Sequence, residues 1–195
     1  NAGSLTLATS GTGNSIITAN TLTNTDTGTL QSGAGLTATI AQLLNNSGTL
    51  FASNNLTSNS GSLTNSGTLQ TNQDATLTTD KLTNSGKLIT SGKGYNGIIN
   101  ASKLTNTKTG VIQSEIDLAL NVTDTLDNAG KLLASDDLLV DAATSALAIS
   151  NTNPGVIQAG NALTITGANA TFNTQSGTVL GNTTGITVSS LNNSG

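Results

Sequence analysis

The sequence of 195 residues contains no histidine, cysteine, arginine, methionine or tryptophan, and only 8% of its residues are charged. Without cysteine the chain forms no disulfide and offers no thiolate to a metal ion. Without histidine or arginine, a catalytic base would have to be a carboxylate or a lysine. Six lysines against ten carboxylates give a net charge of −4. Because a nucleic-acid partner requires a basic surface, we expect none.

Long hydrophobic runs are also missing. No stretch approaches the roughly 18 apolar residues of a membrane-spanning helix, and no charged-then-apolar leader opens the chain. Apolar residues make up 34% of the sequence and aromatic residues only 2%. The apolar residues are regularly spaced and the charge is low, which argues against disorder despite the polar composition. We expect a water-soluble segment of a larger protein.

What the sequence has is a repeat. "LTNSGTLQT" at 63–71 returns as "LTNSGKLIT" at 82–90. An apolar residue opens each unit at intervals of 19 to 23 residues: Leu22, Leu44, Leu63, Leu82, Leu104, Leu126, Ile149, Phe172 and Leu191. Two places later stands an asparagine, replaced once by Thr174, in the set that we call the asparagine ladder: Asn24, Asn46, Asn65, Asn84, Asn106, Asn128, Asn151 and Asn193. Units of this length indicate a solenoid.

Within each unit, apolar and polar residues alternate with the two-residue period of a β-strand that has one buried face. A glycine follows each ladder asparagine; two places after it comes an aliphatic residue and four places after it a small one, as in Leu88 and Thr90. A second short strand follows, and the opening Leu-x-Asn makes a third. Three short strands with Asn, Gly and Ser-rich turns predict one coil of a parallel β-helix per unit. The fold class is therefore all-β, with about eight to nine coils over residues 1–195.

The β-helix gives the repeated asparagine a physical role. Equivalent residues of successive coils would stack about 4.8 Å apart. A repeated leucine then forms an aliphatic column. A repeated asparagine can turn the backbone and hydrogen-bond to the asparagine of the next coil.

The pattern Leu-x-Asn-x-Gly-x-Leu-x-Ala/Ser/Thr, followed by a second Leu-x-Leu strand, resembles the hemagglutinin repeat of exoproteins exported by two-partner secretion in Gram-negative bacteria. The resemblance covers residues 22–195. It implies a right-handed parallel β-helix that acts as a structural shaft or receptor-presenting segment of a secreted adhesin or a contact-dependent growth inhibition toxin. It also implies an outer-membrane transporter as export partner, a cell-surface receptor and a location on the bacterial cell surface. The amino-terminal secretion domain and any carboxy-terminal toxin or processing segment are absent from these residues.

A carbohydrate-active enzyme is one alternative, because parallel β-helices also carry lyases and hydrolases that use clustered carboxylates. The acidic candidates are Glu115, Asp117, Asp124, Asp127, Asp136, Asp137 and Asp141. Their positions in the repeat are turns or outward sites, where charges need no function. Calcium sites require more regular acidic turns than this sequence has. We therefore predict no catalytic residue, metal, cofactor or small-molecule substrate.

Two structural alternatives remain open. An ice-binding solenoid would need an unbroken outward threonine array in the second strand. The array read from the repeat is Thr37, Thr57, Thr76, Ile99, Ala119, Leu139, Thr164 and Thr187, which three middle units interrupt. Thermal hysteresis of the purified chain would support ice binding. A curli-like amyloid subunit shares the repeat length and polar composition, and a cooperative, reversible melt of a monomer would exclude it.

The third residue after each glycine alternates between glutamine and a large apolar residue. We expect this position to face outward. The apolar members form a candidate contact strip for a lateral partner: Phe51, Ile89, Leu133 and Leu180. Their simplest interpretation is packing against the methylenes of the intervening glutamines.

Overall fold

A computed structural model describes residues 1–195 and contains β-strands but no helix. No segment therefore forms a helix that could cross a lipid bilayer. The strands in chain order are β1 (Ser4–Ala8), β2 (Asn14–Asn24), β3 (Thr29–Ser32), β4 (Gly35–Asn46), β5 (Thr49–Ala52), β6 (Leu56–Asn65), β7 (Thr68–Thr71), β8 (Ala75–Asn84), β9 (Lys87–Thr90), β10 (Gly97–Asn106), β11 (Val111–Ser114), β12 (Leu118–Asn128), β13 (Lys131–Ala134), β14 (Leu138–Asp141), β15 (Ala148–Thr152), β16 (Val156–Ala159), β17 (Ala162–Gln175), β18 (Thr178–Leu180) and β19 (Thr183–Ser194).

The strands form two parallel sheets that wind into a β-solenoid of stacked coils. The first sheet has nine strands in the order β1-β3-β5-β7-β9-β11-β13-β16-β18. The second has ten strands and runs from β2 through β4, β6, β8, β10 and β12 to β17 and β19, with β14 and β15 both between β12 and β17. Each strand therefore pairs with its equivalent one repeat away. The prediction of an all-β solenoid of about eight to nine coils is confirmed, with about nine coils in the structure.

The prediction of three separate strands per coil is correct for only one coil. Elsewhere the second and third strands run on as one long strand, such as β10 or β12. The register between β10 and β12 shifts between Ala101 and Lys103, which marks the corner where the two predicted strands meet. Only in the coil of β14 and β15 does a turn separate them. Between β8 and β10 the pairing keeps its register through the same corner, Thr79 with Ala101 and Lys81 with Lys103, so the shift is not needed for the long strand to form.

The core is a set of aliphatic columns between the two sheets. A cluster of 34 buried residues fills it, and Phe172 is its only aromatic member. The residue two places after each turn glycine, such as Leu69 or Leu88, is at most 3% exposed in every coil from Leu30 to Ile157. The opening apolar residues from Leu44 to Phe172 are buried as well. Stacked leucines thus remove their side chains from water in the coils between the first and the last, which is the main source of stability in such a fold.

The glycine after each ladder asparagine is required by close approach between coils. A Cβ atom on Gly86 would overlap the carbonyl oxygen of Gly67 in the preceding coil, and one on Gly67 would overlap that of Gly48. The obstacle is backbone, which cannot move aside without breaking the stack. These turns can therefore be closely stacked only when the residue has no side chain.

Candidate functional site

The ladder asparagines lie in one buried column at the end of each long strand. Seven of them, from Asn24 to Asn151, are at most 1% exposed. In the first six of them, the Nδ2 atom donates to the Oδ1 atom of the asparagine in the next coil, over 2.8 to 2.9 Å. Every one of these bonds points in the same direction along the axis.

Asn84 shows what one amide does. Its Nδ2 donates to Asn106 Oδ1 at 2.9 Å, to the Gly86 carbonyl at 3.2 Å and to the Val111 carbonyl at 3.2 Å. Its Oδ1 accepts from Asn65 Nδ2 at 2.8 Å. The side chain therefore ties its own turn to the neighbouring coils on both sides. The Gly86 carbonyl also accepts the Val111 N–H at 2.8 Å, so the amide adds a second hydrogen bond to a carbonyl that already has a backbone partner.

The two ends of the ladder differ from the sequence-based expectation. Asn1 joins it, since its Nδ2 donates to Asn24 Oδ1 at 3.0 Å. The repeat was traced from the apolar residue two places before each asparagine, and Asn1 was therefore not included. At the other end Thr174 interrupts the column, and Asn151 Nδ2 donates only to the Thr178 carbonyl, at 3.0 Å. Asn193 pairs in register with Thr174, and its exposed side chain makes no hydrogen bond within the chain.

The four residues of the contact strip lie in a single outward column with the glutamines between them. Sheet pairing runs in register from Gln31 to Phe51 and continues coil by coil to Leu180. Phe51, Ile89 and Leu133 are half-buried, and Leu180 is 51% exposed. The strip is thus partly covered by its own neighbours.

The outward column of the second strand differs in two members from the array read from the repeat. Ile98, not Ile99, pairs with Thr76, and Ile99 is buried in the core at 1% exposure. In the last coil Gly185, not Thr187, pairs with Thr164. The error at Ile99 arose because Gly97 occupies the inward position, where an aliphatic residue was expected. The interruption in the middle three coils remains, now as Ile98, Ala119 and Leu139.

The acidic candidates do not form a catalytic cluster. Glu115, Asp117, Asp136 and Asp137 lie in the turns between the two sheets, with the other three on the second sheet or at its end. Asp124 is exposed and forms an ion pair with Lys103 at 3.3 Å. No group of three or more carboxylates lies close enough to hold a metal ion.

A second column of polar side chains escaped the sequence analysis. It lies where each coil turns into its second strand and comprises Asn55, Asp74, Asn96, Asp117, Asp137 and Asn161. From Asn55 to Asp117, each Oδ1 accepts the backbone N–H of the next member at 2.8 to 3.3 Å. Asp137 Oδ1 instead accepts from Asn161 Nδ2 and the Ala162 N–H, both at 2.9 Å. Asparagine and aspartate alternate irregularly here and the preceding turns vary in length. A search for identical residues therefore passes over the column.

The largest surface groove follows the concave corner of the second sheet and has a volume of about 640 Å³. Most of its lining residues have polar side chains, and Asn121 Nδ2 donates to Asn100 Oδ1 at 2.8 Å. Asp80 is the only ionisable residue that lines it. The groove therefore lacks the paired acid and base of a hydrolase.

Stacked coils, a core of aliphatic columns and a buried amide column define a β-solenoid. The family model of the haemagglutinin repeat matches residues 2–64, 51–107, 96–151 and 143–195, which together cover almost the entire chain. The chain belongs to the haemagglutinin-repeat family, as the resemblance predicted; this is a family of structural adhesin repeats found in secreted surface proteins and not a family of enzymes. No curated protein and no solved structure matches the chain.

Proposed function

We propose that residues 1–195 form a shaft segment of a secreted Gram-negative adhesin or contact-dependent growth inhibition exoprotein. The continuity of the stack carries this proposal. The aliphatic columns and the amide column run from coil to coil with one interruption, at Thr174. About nine coils at about 4.8 Å each give a rod of roughly 40 Å. Further coils of the same kind would extend that rod in proportion.

Export by two-partner secretion fits the same family. The partner would be an outer-membrane transporter, and the product would reside outside the outer membrane. A solenoid suits such export because it can fold coil by coil, each new coil using the last one as a template. The haemagglutinin-repeat match supports this context.

A receptor-presenting role for the same segment is the second candidate. The contact strip favours it, because its apolar side chains lie on an outer wall in one line. Leu180, the most exposed of the four, is 51% exposed. A shaft alone needs no such line.

Deleting one whole coil tests the shaft proposal. Removal of residues 66–84 joins Asn65 to Ser85 and restores the Asn-Ser-Gly turn, so the remaining coils should stack as before. We expect an unchanged β-sheet circular dichroism spectrum and a rod shorter by about 5 Å in small-angle scattering. The control deletion of residues 66–75 removes β7 without completing a coil and should unfold the neighbouring coils. Equal damage from both deletions would contradict a modular shaft.

Adhesion separates the two roles. If the segment is shaft, the whole-coil deletion in the exported protein should leave cell adhesion unchanged. The purified chain should then not compete with the exported protein for adhesion. Competition by the purified chain would favour receptor presentation. Release of unsaturated product from uronate polymers would refute both and establish an enzyme.

A further inference from the structure

One groove in the outer wall of the second sheet has an apolar floor and an acidic rim. Ile98, Ala119 and Leu139 pair in register in three successive coils and form the floor. Asp117 and Asp137 stand on the rim, in the turns just before those strands. The small Ala119 between two large side chains leaves a depression, and the groove encloses about 410 Å³. We call it the acid-rimmed groove.

The floor is a local departure from its own column. Ile16 and Gly185 take the equivalent place in the first and last coils, and the equivalent outward residues in four other coils are threonines: Thr37, Thr57, Thr76 and Thr164. A threonine suits an exposed strand face because it is β-branched and polar. Ile98 is nevertheless 37% exposed to water. Repeat geometry does not require apolar residues here, since four coils do without them.

The rim carboxylates are not neutralised within the chain. Asp117 Oδ1 accepts the backbone N–H of Asp137 at 3.1 Å. Asp137 Oδ1 accepts the backbone N–H of Ala162, in the next coil, at 2.9 Å. The only ion pair in the chain is that of Lys103 with Asp124. Residues 115–141 contain seven of the ten carboxylates and one of the six lysines, a net charge of −6, whereas the rest of the chain carries +2. Both rim carboxylates and two of the three floor residues belong to this acidic stretch.

We propose that the acid-rimmed groove binds an arginine side chain on an exposed segment of a partner protein. The methylene stem of an arginine would cover the apolar floor. Its planar guanidinium carries five donors and can bridge two carboxylates from coils about 4.8 Å apart. The charge of the stretch complements such a segment and would speed its association. This site is independent of the shaft role, which requires no groove.

Fluorescence polarisation tests the proposal, with a labelled decapeptide of alternating arginine and serine titrated against the purified chain. The double variant D117N/D137N keeps the amide oxygens that accept the backbone N–H groups but removes both charges. We expect it to weaken binding by about tenfold or more. The matched control D80N/D127N removes two charges from exposed sites outside the groove and should bind within about twofold of the parent chain.

A second variant separates the floor from the rim. A119L fills the depression and leaves every charge in place, so it too should weaken binding, and circular dichroism should show that it folds. Equal losses in D117N/D137N and D80N/D127N, or parent-like binding by A119L, would overturn the proposal in favour of unspecific surface charge. Displacement of the peptide by calcium at millimolar concentration would overturn it in favour of a cation site. Self-association abolished by D117N/D137N would overturn it in favour of a second copy of this chain.

Discussion

Replacing Asn84 with alanine removes one rung from the middle of the asparagine ladder. The side chain is fully buried and bonds to both neighbouring coils and to its own turn. After the change, Asn106 Oδ1 has lost its donor, and the Gly86 and Val111 carbonyls have lost one partner each. Asn65 Nδ2 keeps its bonds to the Gly67 and Lys87 carbonyls. The damage therefore falls mainly on the carboxy-terminal side of the rung.

The expected cost follows from these bonds. The Nδ2 group of Asn84 has two hydrogens, which three acceptors share, so we count two donated hydrogen bonds. The bond that Oδ1 accepts from Asn65 is the third. Three hydrogen bonds at about 1 kcal/mol each, and about 1 kcal/mol for the orphaned oxygen of Asn106, give a loss of about 3 to 4 kcal/mol in the free energy of unfolding. Because a solenoid is stabilised coil by coil, the loss should be largest in the adjoining coils.

Asn100→Ala is the matched control. Asn100 also makes two side-chain hydrogen bonds to the adjacent coils, through Thr78 and Asn121, but it faces the polar groove, where water can replace them. We expect it to cost less than about 1 kcal/mol. Urea titration followed by circular dichroism measures both, and hydrogen exchange locates the weakened coils. Equal denaturation midpoints for the two variants would refute the reasoning from the buried amide. Asn84 would then contribute only to the backbone geometry of its turn.

Four further outcomes are expected. Leu88→Asp should lower the free energy of unfolding by about 3 kcal/mol or more, because it buries an unpaired carboxylate. Lys87→Asp on the outer face should hardly change the melting temperature. Equal melting temperatures for the two variants would show that the inward register is wrong. Gly86→Ala should also destabilise the chain markedly in thermal melts, since its Cβ would overlap a backbone oxygen, and a parent-like melt would mean that the turns are not closely stacked. Thr174→Asn should complete the ladder and stabilise the last coils by about 1 kcal/mol, measured as slower hydrogen exchange there; faster exchange would contradict this. Changing all four residues of the contact strip to glutamine should abolish lateral binding or self-association without lowering the melting temperature, and retained binding would leave the strip as ordinary wall.

The repeat predicted the solenoid and its buried columns because burial is periodic in the sequence. Leu69 and Leu88 stand at the same place in successive units and in the same core column of the structure. The fusion of the second and third strands was not predictable in this way. At the corner β10 stays in register with β8, Ala101 with Thr79 and Lys103 with Lys81, and local composition does not mark this continuity.

The position of Ile98 shows where sequence reasoning fails at the wall. Six residues, 91–96, separate β9 from β10, against three between β7 and β8. Gly97 then takes an inward place that other coils fill with leucine or alanine. The floor of the acid-rimmed groove became visible only once this register was known.

The uniform direction of the ladder gives the rod two chemically different ends. The Nδ2 group of each buried ladder asparagine donates to the coil on its carboxy-terminal side. An end of the column that faces the amino terminus therefore exposes Oδ1 oxygens, and an end that faces the carboxy terminus exposes N–H groups. Two amino-terminal faces placed together would bring oxygen against oxygen, and two carboxy-terminal faces would bring donor against donor. Only head-to-tail stacking satisfies both, and the aligned amide dipoles strengthen one another along the column. The asparagines thus make the stack polar, so that each new coil can add in only one orientation.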